Sequence, residues 1–139
     1  MSEAFLRRAI ELSEEALAAG NMPYGSLLVG PGDEVLIEER NTVVTDGDIS
    51  AHPEFKLALW ASRSLTPEVA RETTMYTSTH PCEMCAGAIA RSGLGRVVFA
   101  LSPEQHESIA PSSRAPVAYE GPALFEAASV PIDAYYNRR

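Results

Sequence analysis

Two short motifs constrain this chain more than anything else in it: His52-Pro53-Glu54 and Pro81-Cys82-Glu83-Met84-Cys85. One imidazole and two thiols make three ligand groups for zinc, and three protein ligands leave a fourth position for water. That is the arrangement of a catalytic zinc rather than a structural one. Glu54, two residues after the histidine, is placed to move protons for that water. Each motif falls where a loop or strand runs into a helical pattern, so the fold must bring the starts of two helices together. Helix N-termini offer free N–H groups and partial positive charge, which favour the thiolate that binds zinc. Cys82 and Cys85 are three residues apart and point the same way in a first helical turn.

Charge counting explains the carboxylate. Zinc with two thiolates and a neutral imidazole sums to zero, so its water is acidified less than by a site of three neutral histidines. A nearby base is then needed, and Glu54 supplies it. Alone, Cys-x-x-Cys between a strand and a helix also describes a dithiol redox centre, and that reading stays open at this point. The remaining histidines are His80 and His106. His80, two residues before Cys82, either faces the site or stands exposed. His106 lies in a polar stretch and reads as a solvated loop residue. Trp60 falls on the apolar face of its helix and reads as core, and Glu83 and Met84 read as cap or packing residues.

The rest of the chain supplies a layered scaffold. Ser2 can cap a first helix with Phe5, Ala9, Leu12, Ala16 and Ala19 near one face and Gly20 as its stop. Leu27-Leu28-Val29 and Val35-Leu36-Ile37 read as strands joined by the turn Pro31-Gly32-Asp33. Residues 41–51 read as a loop, and Pro53 opens a helix that continues through Phe55–Leu65. Strands are expected at Thr73–Thr79 and Arg96–Leu101, with a helix over Cys82–Arg91 between them that stops near Gly93. Those two strands then run parallel through a crossover, which makes an α/β layered domain. Pro116–Tyr119 is a candidate fifth strand, and Ala123–Ala128 and Ile132–Asn137 are candidate short helices.

The chain has 139 residues and a net charge of −8 from 11 basic and 19 acidic side chains. Its adjacent basic pairs are Arg7-Arg8 and Arg138-Arg139. That balance argues against a nucleic acid polymer as partner, since phosphate backbones are held by clustered Lys and Arg. A small neutral substrate is expected instead. No apolar run is long enough for a bilayer. The segment 1–5 lacks the pattern of an export signal, so a cytoplasmic setting is expected, in which two lone cysteines read as a metal or redox site rather than a disulfide.

In this order, His-x-Glu and then Pro-Cys-x-x-Cys form the established signature of zinc deaminases. The chain resembles the cytidine-deaminase-like superfamily, in its branch of guanine, cytosine and tRNA adenosine deaminases. Pro23-Tyr24-Gly25-Ser26-Leu27-Leu28-Val29, Asn41, Asp48-Ile49-Ser50-Ala51-His52-Pro53-Glu54 and Thr77–Ile89 carry the likeness, which spans roughly Asn21 to Leu101. The resemblance implies a three-layer α/β/α fold with a mixed five-stranded sheet, helices on both faces and a homodimer. It implies one deaminase domain over 1–139, with a core of about 1–101 and a pocket loop and helical tail at 102–139. It implies zinc on His52, Cys82 and Cys85, proton transfer by Glu54, and Asn41 against the substrate ring. The backbone N–H of Cys82 is the oxyanion donor it suggests. The implied reaction is hydrolytic deamination of a free nucleobase or related amino-heterocycle: guanine, a cytosine-type base or a triazine. The alternatives are a tRNA adenosine deaminase, a dithiol oxidoreductase, and a zinc protein without activity.

Two positions depart from the branch. Its usual alanine between the histidine and the glutamate is Pro53 here, and the backbone N–H that relatives present to substrate is absent. Its usual acidic residue before the Pro-Cys pair is His80. Both fall at the expected pocket. In guanine deaminase relatives the C-terminal tail closes over substrate, and Tyr135 and Tyr136 are candidates either for such a lid or for anchors that pack the tail onto the surface.

Overall fold

Helix α1 (Glu3–Ala18) forms because Ala9, Leu12 and Ala16 recur at helical spacing, and all three are buried. Ser2 takes the N-cap position with an extended backbone, without a side-chain cap bond. Gly20, at φ 87°, turns the chain out of the helix. Ala19, expected on the apolar face, is exposed because the helix ends before it. The computed structural model describes residues 2–110, 112 and 114–137; Met1 and the basic pair Arg138-Arg139 lie outside the described residues.

Strands β1 (Gly25–Val29) and β2 (Val35–Arg40) form the antiparallel hairpin expected from the turn, with Asp33 in the left-handed region. β2 runs beyond the apolar triplet, because polar Glu38, Glu39 and Arg40 complete the pairing with β1 along an outer edge. Gly25 is required by close approach: a Cβ there would meet the Ala9 carbonyl and Leu12 Cβ of α1 at 2.5 Å. Strand β3 (Thr74–Thr79) is buried throughout and pairs antiparallel with β1. Helix α5 (Glu83–Ser92) then crosses over to β4 (Arg96–Leu101), which lies parallel to β3 as the crossover predicts.

The sheet order is β2-β1-β3-β4, four strands rather than the expected five. Pro116–Tyr119 does not add one. Pro116 has no N–H for a ladder, and Val117 and Tyr119 are 68% and 91% exposed, so the segment's apolar side chains are not packed into the sheet. Alternation along the strands covers both faces of the sheet. Leu27, Val29, Tyr76 and Val98 pack against α1. Leu28 and Met75 pack against Leu57 and Ala61 of helix α3 (Pro53–Ser64), with half-buried Trp60 and Val97 around them. α5 lies beside α3 on that face. The three-layer α/β/α fold follows.

Four further helices occur among the described residues. A single turn, α2 (Val43–Asp46), interrupts the stretch expected to be a loop. α4 (Pro67–Arg71) opens on a Thr66 cap, and α6 (Pro103–Ile109) on a capping box of Ser102 and Gln105. One helix, α7 (Phe125–Tyr136), replaces the two expected short ones and continues across Pro131. α7 buries none of its residues. No helix of the described residues is long and apolar enough to cross a membrane.

The topology gathers particular residues at one edge. α5 and α6 leave from the C-terminal ends of the parallel pair β3 and β4. β1 runs the other way, so its start lies beside the end of β3, with Ser26 opposite Thr77. The end of β2 reaches the same edge, with Arg40 opposite Gly25. Tyr24, Asn41, Pro81-Cys82 and Ser102 therefore converge where open α/β sheets place their sites.

Candidate metal centre

His52 is the N-cap residue of α3, with Pro53 in the first helical position, where its fixed φ and missing N–H suit a helix start. Cys82 is the N-cap residue of α5, and Cys85 follows in the first turn, fully buried. The two helix starts meet as the sequence requires. His52 Nδ1 lies 3.8 Å from Cys82 Sγ and 3.5 Å from Cys85 Sγ, and the three ligand atoms all lie within 4.8 Å of one another. Tetrahedral zinc, with Zn–S about 2.3 Å and Zn–N about 2.0 Å, needs sulfur and nitrogen about 3.6 Å apart. The donor set and its spacing fit that ion.

The protons of this group are already divided before any metal binds. Cys85 and His52 both bond to the Cys82 sulfur, which holds that thiol far below its ordinary range, while Cys85 is pushed up as the donor to it. The same Cys82 sulfur raises the His52 imidazole. Zinc takes the place of those shared protons, which is why such sites release protons on loading.

Glu54 is 5% exposed, and burial pushes its carboxyl up to about 7. Its Oε1 and the Nδ2 of fully buried Asn41 are, among the described residues, the buried side-chain polar atoms without a hydrogen-bond partner. Leaving such a group unpaired costs about 1–3 kcal/mol. Two of them leave hydrogen-bonding capacity unmet beside the cluster. Asn41 is otherwise locked: its Oδ1 accepts from Val43 N at 3.0 Å and its own N–H donates to the Tyr24 carbonyl at 3.0 Å. Lys56, to which the sequence reading gave no role, braces this turn against α3. Its Nζ lies 3.0 Å from Thr42 Oγ1 and 3.2 Å from Glu39 Oε1.

Burying Glu54 has a testable consequence for stability. Its pKa rises from 4.5 to about 7 on folding, so the folded chain holds more protons than the unfolded one between those values. Stability then falls as pH rises through that window. In chelator-treated protein, Glu54→Gln should match the native chain below pH 4.5 and exceed it by about 3 kcal/mol above pH 7. Urea unfolding of both proteins across that range checks this; parallel pH profiles would remove the assigned burial cost.

The other candidates make contacts of their own. His80 is exposed, with its ring edge-on to Phe99 at 4.8 Å and its Nδ1 3.0 Å from the Pro81 carbonyl. Tyr135 and Tyr136 pack against each other at 4.9 Å on exposed α7. His106 corrects the loop reading. It sits in α6, half-buried, with Nε2 2.7 Å from the Tyr24 hydroxyl. The Ser102-Pro103-Glu104-Gln105 capping signature was the sequence signal that would have placed it on a helix.

Residues 1–101 match the model of the family described as "Cytidine and deoxycytidylate deaminase zinc-binding region". A probable cytosine deaminase of Schizosaccharomyces pombe is 40% identical over 101 residues, covering 73% of this chain and 60% of that protein. A tRNA-specific adenosine deaminase of Haemophilus influenzae is 33% identical over 100 residues, covering 72% of this chain and 58% of that protein. The chain thus spans about three fifths of the length of these relatives. The crystal structure of guanine deaminase from Bacillus subtilis superposes with a TM-score of 0.78 at 27% identity, over 100% of this chain and 96% of that one.

Proposed function

This chain belongs to the family of the cytidine and deoxycytidylate deaminase zinc-binding region, and we propose that it is a zinc-dependent hydrolytic deaminase of a free amino-bearing heterocycle. The observation that carries this reading is the pair of unpartnered buried atoms, Glu54 Oε1 and Asn41 Nδ2, at the edge where the His52–Cys82–Cys85 cluster forms. A dithiol oxidoreductase has no use for either atom. His52 and the thiolates of Cys82 and Cys85 would hold the zinc, which would supply Lewis acidity toward water and substrate.

The chain's own residues do the rest. Glu54 takes a proton from the attacking water and delivers protons to the ring nitrogen and then to the departing amine. A carboxyl near 7 suits both directions of transfer at neutral pH. The C–N bond breaks, ammonia leaves and a ring carbonyl remains. Asn41 Nδ2 donates to an acceptor on the ring. The backbone N–H of Cys82, at a helix start, is the donor this reading assigns to the oxygen that gains charge. Pro53 offers no N–H at its buried position, so a ring that places an acceptor there loses about 1–3 kcal/mol against one that does not. Asn41→Ala should raise KM about 10–100-fold with a smaller effect on kcat; steady-state kinetics showing an unchanged KM would remove the ring contact.

A base or triazine is favoured over tRNA by the net charge of −8. The likeness to a tRNA-specific adenosine deaminase keeps RNA as the second reading. Ammonia release should be measured across guanine, isoguanine, cytosine, 5-methylcytosine, adenine, their nucleosides and amino-triazines. Release from one base supports the reading; silence, with a salt-dependent shift of an anticodon hairpin, supports RNA.

The same reading makes the chain a single-domain cytoplasmic homodimer whose tail closes a site through Tyr135 and Tyr136. Its support is α7, which leaves Phe125, Ile132 and Tyr136 exposed. Deleting residues from Ile132 onward should abolish turnover and keep zinc. Full turnover in that variant would remove the lid, and a solution mass of one chain would remove the dimer.

A further inference from the structure

Tyr24 and His106 meet across 82 residues of sequence, with the phenol oxygen 2.7 Å from Nε2 and the ring centroids 5.7 Å apart. Nothing in either local sequence calls for this contact, and both rings are half-buried. Tyr24 stands immediately before β1, and its carbonyl accepts from the Asn41 N–H at 3.0 Å. Its neighbour Gly25 donates to Ser78 Oγ at 3.2 Å, which ties that strand start to the end of β3. His106 lies in the short helix that follows β4. That helix is fixed by its capping box, and the last residue of β4 is joined to the end of β3 by the His80 N–H to Leu101 carbonyl bond at 2.9 Å. The pair therefore bridges the two sides of the edge that carries Asn41, Glu54 and Cys82.

We propose that Tyr24 and His106 are specificity-determining residues. Their hydrogen-bonded pair walls the substrate site on the β4 side and selects the exocyclic substituent a ring may carry. The inference rests on the deaminase reading above. Burial, and after it the charges of Glu54 and Cys82, holds the phenol above its ordinary range, so it remains a neutral donor beside the site. When its O–H donates to Nε2, the phenol oxygen keeps a lone pair for a ring N–H, and the imidazole carries its proton on Nδ1. When Nε2–H donates instead, the phenol O–H is released toward a ring carbonyl. The pair thus selects a polar substituent, amino or oxo, over an apolar one, which would leave its lone pair or O–H unmet.

The test uses zinc-loaded Tyr24→Phe, His106→Phe, the double variant and His106→Gln, with the base panel above as probes. The readout is the ratio of kcat/KM between the best and second-best base. Both single Phe variants should change that ratio by about tenfold or more, chiefly through KM. The double variant should change it no more than either single one, because both break the same bond. His106→Gln keeps a polar partner and should stay within about threefold of native. Ratios unchanged in variants that retain zinc and native circular dichroism would overturn the proposal. If Tyr24→Phe does not fold, His106→Phe alone decides, since α6 buries no residue. Should native protein release no ammonia, equilibrium binding of the same bases to Glu54→Gln protein replaces the ratio. A binding preference shifted by His106→Phe would then sustain the wall while the deaminase reading fell. Absence of binding by any base would overturn both.

Discussion

Glu54→Gln should keep its zinc and lose about 10²–10⁴-fold in kcat, with KM little changed. The size follows from what the carboxyl is asked to do. In the proposed reaction it moves protons between water, ring and leaving amine, and glutamine has the same shape with no proton to exchange. The direction of the zinc result follows from the geometry, because the ligand atoms of His52, Cys82 and Cys85 converge without help from Glu54. A static structural role for Glu54 is hard to reconcile with its orphaned Oε1 and its burial, which raises the pKa to about 7 and so penalises the charged form. A protein selected for stability alone would hold glutamine or leucine there. Metal analysis by mass spectrometry and steady-state ammonia release on the same preparation check the expectation. Turnover within about tenfold of native, in a variant holding one zinc per chain, would overturn the proton-transfer role.

The residues legible in sequence are those whose chemistry is local. His52, Glu54, Cys82 and Cys85 each sit at a helix start that the sequence marks by Pro53 or by Pro81, and their convergence follows once two helices must meet. The parallel pairing of β3 and β4 was legible for the same kind of reason, since a helix between two strands forces a crossover. Much of what the sequence concealed lies after Leu101. Val117 and Tyr119 look like strand residues by propensity, but a strand forms against a partner, and the exposed segment around Pro116 has none. His106 looked solvated because its neighbours are polar, and its function as a partner of Tyr24 depends on a contact with the other end of the chain. Lys56 likewise reads as a surface charge until Thr42 and Glu39 are seen beside it. Asn41 became a candidate substrate residue only through family likeness. Its physical credential, an unpaired buried Nδ2, exists only in the fold.

Cys85→Ser should abolish both zinc and turnover and lower the thermal midpoint by on the order of 10 °C. Cys85 is fully buried in the first turn of α5, and its sulfur lies 3.5 Å from His52 Nδ1 at the start of α3. A zinc ion there would tie the starts of α3 and α5 together. Zinc present at about a thousandfold its dissociation constant adds about 4 kcal/mol to folding stability, which sets the size of the shift for a chain of this length. Serine preserves the volume, yet its hydroxyl does not ionise at neutral pH and so is a poor substitute for a thiolate ligand. The native protein treated with a strong chelator should fall to the midpoint of the variant and recover on zinc addition, whereas Cys85→Ser should respond to neither. A dithiol oxidoreductase gives the opposite pattern. Its native form would hold no stoichiometric metal, its midpoint would ignore the chelator, and mild oxidation would join Cys82 to Cys85 reversibly. The 3.5 Å and 3.8 Å approach of one imidazole nitrogen to both sulfurs is what separates the two cases, since a redox pair needs the second thiol and a base on one sulfur, while a three-ligand metal centre needs the nitrogen equidistant from both.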